Sequence, residues 1–118
     1  MIEAIPLNST DDERAAQYER VIEHIRTILD GEDDWIAAMA TVACELHHAF
    51  DYYDWTGFYR RVGPKMLTVG PYQGTHGCLH IDFSRGVCGA AARTKQTQLV
   101  EDVHDFPGHI ACSTTTES

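Results

Sequence analysis

Two stripes with the period of a helix fill the first half of this chain, and that period stops near residue 50. Tyr18, Ile22, Ile25 and Leu29 recur at spacings of three and four, which puts them on one helical face. Ahead of them, Thr10-Asp11-Asp12-Glu13 reads as a capping box with acids at the positive end of the helix dipole. Gly31 supplies a left-handed stop, so a helix is predicted over 11–30. Asp33 or Asp34 then caps a second helix, whose stripe is Trp35, Met39, Val42, Leu46 and Phe50. Residues 1–10 are expected to be an extended leader, with Pro6 keeping them so.

From Asp51 onward the pattern is that of short strands. Trp55–Arg61 is aromatic-rich and reads as a strand; Val62-Gly63-Pro64-Lys65 is a turn, and 66–69 is the returning strand of a hairpin. A third strand is predicted over 78–83, a short helix within 84–95 after the Gly86 turn, a fourth strand over 96–100, and a loop over 103–109. The order α-α-β-β-β-α-β specifies an α+β domain with helices packed on one face of an antiparallel sheet. Four short strands do not cover two long helices, so the fold is expected to need more sheet than the sequence supplies before Ser118.

Length and charge narrow the function. A chain of 118 residues with 43% apolar content is about one domain with a real core. A net charge of −9 disfavours nucleic acid and anionic membrane surfaces as partners, because both require a basic face. No apolar run approaches the roughly 20 residues of a spanning helix. The N-terminus lacks the basic start and apolar core of a signal peptide. A cytosolic location is therefore expected, where cysteines are kept as thiols.

Three of the four cysteines, Cys78, Cys88 and Cys112, fall in 74–112 among five glycines. Thiols on glycine-rich loops reach solvent and each other, whereas Cys44, between helical apolar residues, reads as packing. Reversible thiol chemistry needs one thiolate to attack and a second thiol to resolve the product. His109 lies three residues before Cys112 and lowers a thiol pKa if its ring approaches the sulfur. Zinc is the competing use of Cys78, His80, Cys88, His109 and Cys112, with no C-x-x-C or H-x-x-x-H spacing to support it. Trp55, Gly57 and Tyr59 share one strand face, and the glycine between two rings leaves a notch suited to an apolar or sulfur-bearing group. Asp102, Asp105 and Glu117 are candidate acids near the thiols, each otherwise a solvated carboxylate. Arg85, before the Gly86 turn, is a weak carboxylate-binding candidate.

The motifs D-W-T-G-F-Y, G-P-Y-Q-G, R-G-V-C-G-A-A-A, T-Q-L-V-E-D-V-H and F-P-G-H-I-A-C, in that order, resemble those of the free methionine-(R)-sulfoxide reductases, enzymes with a GAF domain. The resemblance runs from about Asp54 to Cys112 and implies a GAF domain over 11–118. It implies reduction of free L-methionine-(R)-sulfoxide by thiol chemistry, with no cofactor and no metal. By the same resemblance Cys112 takes the attacking position, favoured over Cys88. Cys88 or Cys78 then closes a disulfide that thioredoxin reduces. Trp55 and Tyr59 match the aromatic residues that hold the methyl-sulfinyl end of the substrate. Members of the family often form homodimers. In the family the chain continues past H-I-A-C into further strands, acidic residues and a final helix, so this chain is expected to lack its last strands and helix and to be unstable or weakly active by itself. A ligand-sensing or redox-sensing GAF module, or an inactive fragment of the reductase, is the alternative.

Overall fold

A computed structural model describes residues 2–108. Its elements are α1 (Asp11–Ile28), α2 (Trp35–Ala49), β1 (Trp55–Arg61), β2 (Met66–Gly74), β3 (His80–Asp82), α3 (Gly86–Thr94) and a single 3-10 turn at Val103–Asp105. The strands form a three-stranded sheet in the order β1-β2-β3. This is the α+β arrangement expected. The predicted fourth strand is not there: among the described residues 96–100 belongs to no strand, and Leu99 is 96% exposed. A strand exists only where an edge pairs with it, and alternation in a five-residue stretch does not supply that edge. By contact, the chain divides into two compact units, Met1–Phe58 with Pro71–Gly74, and Tyr59–Gly70 with Thr75–Ser118.

In the first unit both helices start where local chemistry dictates. Thr10 Oγ1 accepts from Glu13 N and Glu13 Oε1 accepts from Thr10 N, each at 3.1 Å. Asp34 Oδ1 accepts from Ile36 N at 2.9 Å and Ala37 N at 3.0 Å, so Asp34 is the cap of α2. Each pair satisfies amide groups that the helix leaves unbonded. α1 ends two residues earlier than expected, with Gly31 at φ 79° in the turn beyond it.

The predicted stripes supply Phe50, which is buried, and Ile25 and Leu46, which pack against its cluster, but the fully buried helix positions lie beside them. On α1 the buried residues are Gln17 and Val21, at 1% and 0% exposure, while Tyr18 and Ile22 are 37% and 45% exposed. On α2 the buried residues are Ala43 and Ala49, and Trp35 is 79% exposed. The cause is Phe50. It leaves the end of α2 in an extended conformation and forms a buried cluster with Val21 and Ala49. Tyr18 and Tyr53 pack against its ring at centroid distances of 4.4 and 4.9 Å, and the two tyrosine hydroxyls are hydrogen-bonded to each other.

Gln17 ties the leader to this cluster. Ile5 pairs in parallel with Phe50, with Ile5 N bonded to Ala49 O and Asp51 N to Ile5 O, both at 3.1 Å. Gln17 Nε2 donates to Glu3 O at 2.8 Å and to Ala49 O at 3.1 Å, and its Oε1 accepts from Arg20 at 2.8 and 3.1 Å. A buried amide is tolerated because its polar atoms are bonded. Gln17→Leu is therefore expected to lower stability by about 1–3 kcal/mol, the usual range for leaving buried partners unsatisfied. Amide exchange at Ile5 and Asp51, which are bonded only through the leader, should accelerate most. Unchanged exchange there would contradict this role.

In the second unit β2 and β3 are antiparallel, with Met66 opposite Asp82, Leu67 opposite Ile81 and Thr68 opposite His80. Leu67, Ile81, Ala90 and Val103 are buried. α3 packs close on β3: a Cβ at Gly89 would lie 2.8 Å from Asp82 O and 3.0 Å from Phe83 O, so no larger residue fits there without displacing backbone.

Candidate functional site

The aromatic positions are set by the β1–β2 hairpin. In the first unit the Trp55 ring stacks on Tyr72 of β2, with centroids 5.3 Å apart and planes at 23°. Both close over Gly57. A Cβ there would overlap Tyr72 Cβ, and would lie 2.8 Å from the tip of the Trp55 ring and 2.9 Å from Tyr72 Cα. The notch expected above this glycine is thus filled by Tyr72. Tyr72 was not among the expected site residues, although it lies inside the G-P-Y-Q-G motif. Its role depends on which β2 residue crosses Gly57, and no local pattern specifies that.

Thr56, on the other face of the strand by parity, has its Oγ1 3.1 Å from His47 Nδ1. Burial, with His48 adding to it and Asp54 opposing, pushes the His47 pKa below its ordinary 6.5. The unfolded chain therefore binds this proton at a higher pH than the folded one. The stabilisation is complete above about pH 6.5 and is lost as pH falls through the lowered folded value. His47→Gln should flatten that part of the stability profile, measured as urea midpoints between pH 7.5 and 5. A wild-type slope retained in the variant would assign it elsewhere.

In the second unit Tyr59 and Cys78 are joined. The Tyr59 hydroxyl donates to Cys78 O at 2.8 Å. Cys78 lies in the segment between β2 and β3, and its sulfur is in a disulfide. Cys44 and Cys88 are free thiols. Cys88 is not on a loop, as its glycine neighbours had suggested, but in the first turn of α3. The residue is exposed, yet the protein packed around its sulfur pushes the thiol pKa above its ordinary value. A thiol shifted that way carries less thiolate at neutral pH and attacks less readily. Cys44, on α2, has its sulfur 3.8 Å from His48 Nδ1.

The other candidates have structural partners. Asp102 Oδ1 accepts from the backbone N of His104 and lies close to His104 Nδ1, both at 2.9 Å. Arg85 is the N-cap residue of α3 and makes no side-chain cap bond. His80 Nδ1 is 3.1 Å from Thr68 Oγ1 across the β2–β3 pair. Among the described residues no three His, Cys, Asp or Glu side chains converge as a metal set. Cys112, His109 and Glu117 lie outside the described residues.

The free methionine-R-sulfoxide reductase of Saccharomyces cerevisiae is 40% identical over 95 residues, covering 75% of this chain and 53% of its own length. The structure of the Neisseria meningitidis free methionine-R-sulfoxide reductase, in complex with its substrate, superposes with a TM-score of 0.82 at 36% identity. It covers 99% of this chain and 68% of that one. This chain belongs to the free methionine-(R)-sulfoxide reductase family. The family's GAF fold is seen also in a GAF sensor protein from Burkholderia vietnamiensis, at a TM-score of 0.81 and 44% identity, covering 88% of this chain and 65% of that one. No family model matches the chain. The chain spans between 53% and 66% of the length of the curated relatives it matches. Among the described residues no helix is long and apolar enough to cross a membrane.

Proposed function

We propose that this chain reduces free L-methionine-(R)-sulfoxide to L-methionine with Cys112 as nucleophile and Cys78 as resolving thiol. The observation that carries the reading is the state of the cysteines: Cys78 is disulfide-bonded while Cys44 and Cys88 are free. The raised pKa of Cys88 also argues against it as attacker.

The Cys112 thiolate attacks the sulfoxide sulfur, forming an S–S bond. A proton reaches the sulfoxide oxygen, the S–O bond breaks as that hydroxyl passes to the Cys112 sulfur, the S–S bond breaks, and methionine leaves with its sulfur reduced by two electrons. Cys112 is left as a sulfenic acid. The Cys78 thiol attacks that sulfur, a disulfide forms, and water departs. One sulfoxide and two thiols thus give one thioether, one disulfide and one water. A dithiol protein of the thioredoxin class returns both cysteines to thiols. Trp55 and Tyr59 contact the methyl-sulfinyl end, where sulfur and methyl pack favourably on rings, and Tyr72 completes that face beside Trp55.

The test is an NADPH-coupled thioredoxin assay with the R and S epimers of free methionine sulfoxide and a peptide-bound R epimer. Turnover of the free R epimer alone is the expected result. Binding of the free R epimer with no methionine produced over hours would replace this reading with a ligand-sensing GAF module.

A further inference from the structure

The chain carries nine lysines and arginines against eighteen acids, yet four of the nine line one cleft in the second unit. The cleft has a volume of about 440 Å³ and is lined by Arg61, Lys65, Phe83, Arg93 and Lys95, with Asp82 also in its lining. From the gathering of these cations the geometry points to a binding site for a small polyvalent anion, of the phosphate or pyrophosphate class, distinct from the thiol chemistry proposed above.

Phe83 collects the charges. The Arg61 guanidinium lies over its ring, 5.7 Å from the centroid. Its backbone N–H donates to Lys65 O at 3.0 Å, and its carbonyl accepts from Arg93 Nη1. Arg61 is further fixed by Nε donating to Gly63 O at 2.9 Å. Each arginine is thus anchored through one donor to a backbone carbonyl, which leaves its remaining donors for a ligand. Among the described residues none of the four cations makes a salt bridge. The one carboxylate in the lining, Asp82, has Oδ1 bonded to Ser84 N at 2.8 Å. Ordinary surface chemistry does not collect like charges in an acidic protein, because they repel. Arg93 does complement the carbonyl end of α3, but Arg61 and Lys65 come from the hairpin and have no such reason to be there.

Lys95 adds an independent observation. It is the only described non-glycine residue in the left-handed region, at φ 58°, and it closes α3 at the position where glycine is ordinarily found. A lysine there gives up some stability, and its ammonium joins the cleft.

The experiment is calorimetric titration of pyrophosphate into the full chain, with acetate as a monovalent control. One saturable site is expected for pyrophosphate, weakening as salt is raised. Lys95→Gly and Lys65→Ala should each weaken it about five-fold, the factor corresponding to one charge removed at roughly 4 Å in water. Lys95→Gly should do so with a thermal midpoint equal to or above wild type, so lost binding there is not lost fold. Arg26→Gln, on the exposed face of α1, should bind as wild type does. Three results would overturn the site: no saturable heat with pyrophosphate, acetate binding as tightly, or both cleft variants binding with unchanged affinity.

Discussion

Replacing Cys112 with serine is expected to remove multiple turnover of free methionine-(R)-sulfoxide, by roughly 10⁴- to 10⁶-fold, the range for loss of a covalent nucleophile. The other cysteines should separate by role. With Cys78→Ser the first half-reaction is intact, so one methionine per chain should form in a single burst. The chain should then stall as a sulfenic acid, which a carbon-acid probe traps. Cys88→Ser should stay within about two-fold of wild type, because a thiol that the surrounding protein keeps protonated takes no part. Cys44→Ser should behave likewise, its sulfur being held near His48 on α2. Stoichiometry decides the matter more firmly than rate. A Cys78→Ser chain that turns over repeatedly with thioredoxin, or a Cys88→Ser chain that halts after one methionine, would exchange the two resolving assignments.

The parts of this fold that were legible in sequence are those decided within four residues. Thr10 with Glu13, Asp34 with the next amides, and the hairpin at Gly63-Pro64 are set by local hydrogen bonding and backbone freedom. What was misread depends on partners far along the chain. Counting apolar residues chose Tyr18, Ile22, Ile25 and Leu29 as the inner face of α1; Ile25 does pack on the core and Tyr18 on Phe50, while Ile22 is exposed. Its two fully buried residues, Gln17 and Val21, meet Phe50, a leader carbonyl and the Ala49 carbonyl, which counting apolar residues does not reveal. Gln17 has no apolar signature, so only its buried bonds reveal it. The stretch 96–100 looked like a strand by composition and lacks a partner among the described residues. The site shows the same division. Strand parity singled out Trp55, Gly57 and Tyr59 on one face, while Tyr72 came to light only when its strand crossed Gly57.

Gly57→Ala should be among the most damaging single methyl groups that can be added to this chain. The new Cβ would lie 2.3 Å from Tyr72 Cβ, 2.9 Å from Tyr72 Cα and 2.8 Å from the Trp55 ring. Backbone cannot swing aside as a flexible side-chain end does, so β1 and β2 must part locally or Trp55 must leave its rotamer. Overpacking of this kind costs about 1–3 kcal/mol, and the upper end is expected here because two of the three collisions are with one residue's backbone and Cβ. Loss of the Trp55–Tyr72 stack should appear in the near-ultraviolet circular dichroism. Catalytic efficiency toward the free R epimer should fall with it, since the rings proposed to hold the methyl-sulfinyl group are displaced. A double-mutant cycle isolates the cause. Tyr72→Gly removes the overlapping Cβ, so Gly57→Ala should cost less in that background than in wild type, even though Tyr72→Gly alone is harmful. Strict additivity of the two changes, or a Gly57→Ala urea midpoint equal to wild type, would mean that the strands already have room at this crossing and that the aromatic face is not built on the glycine.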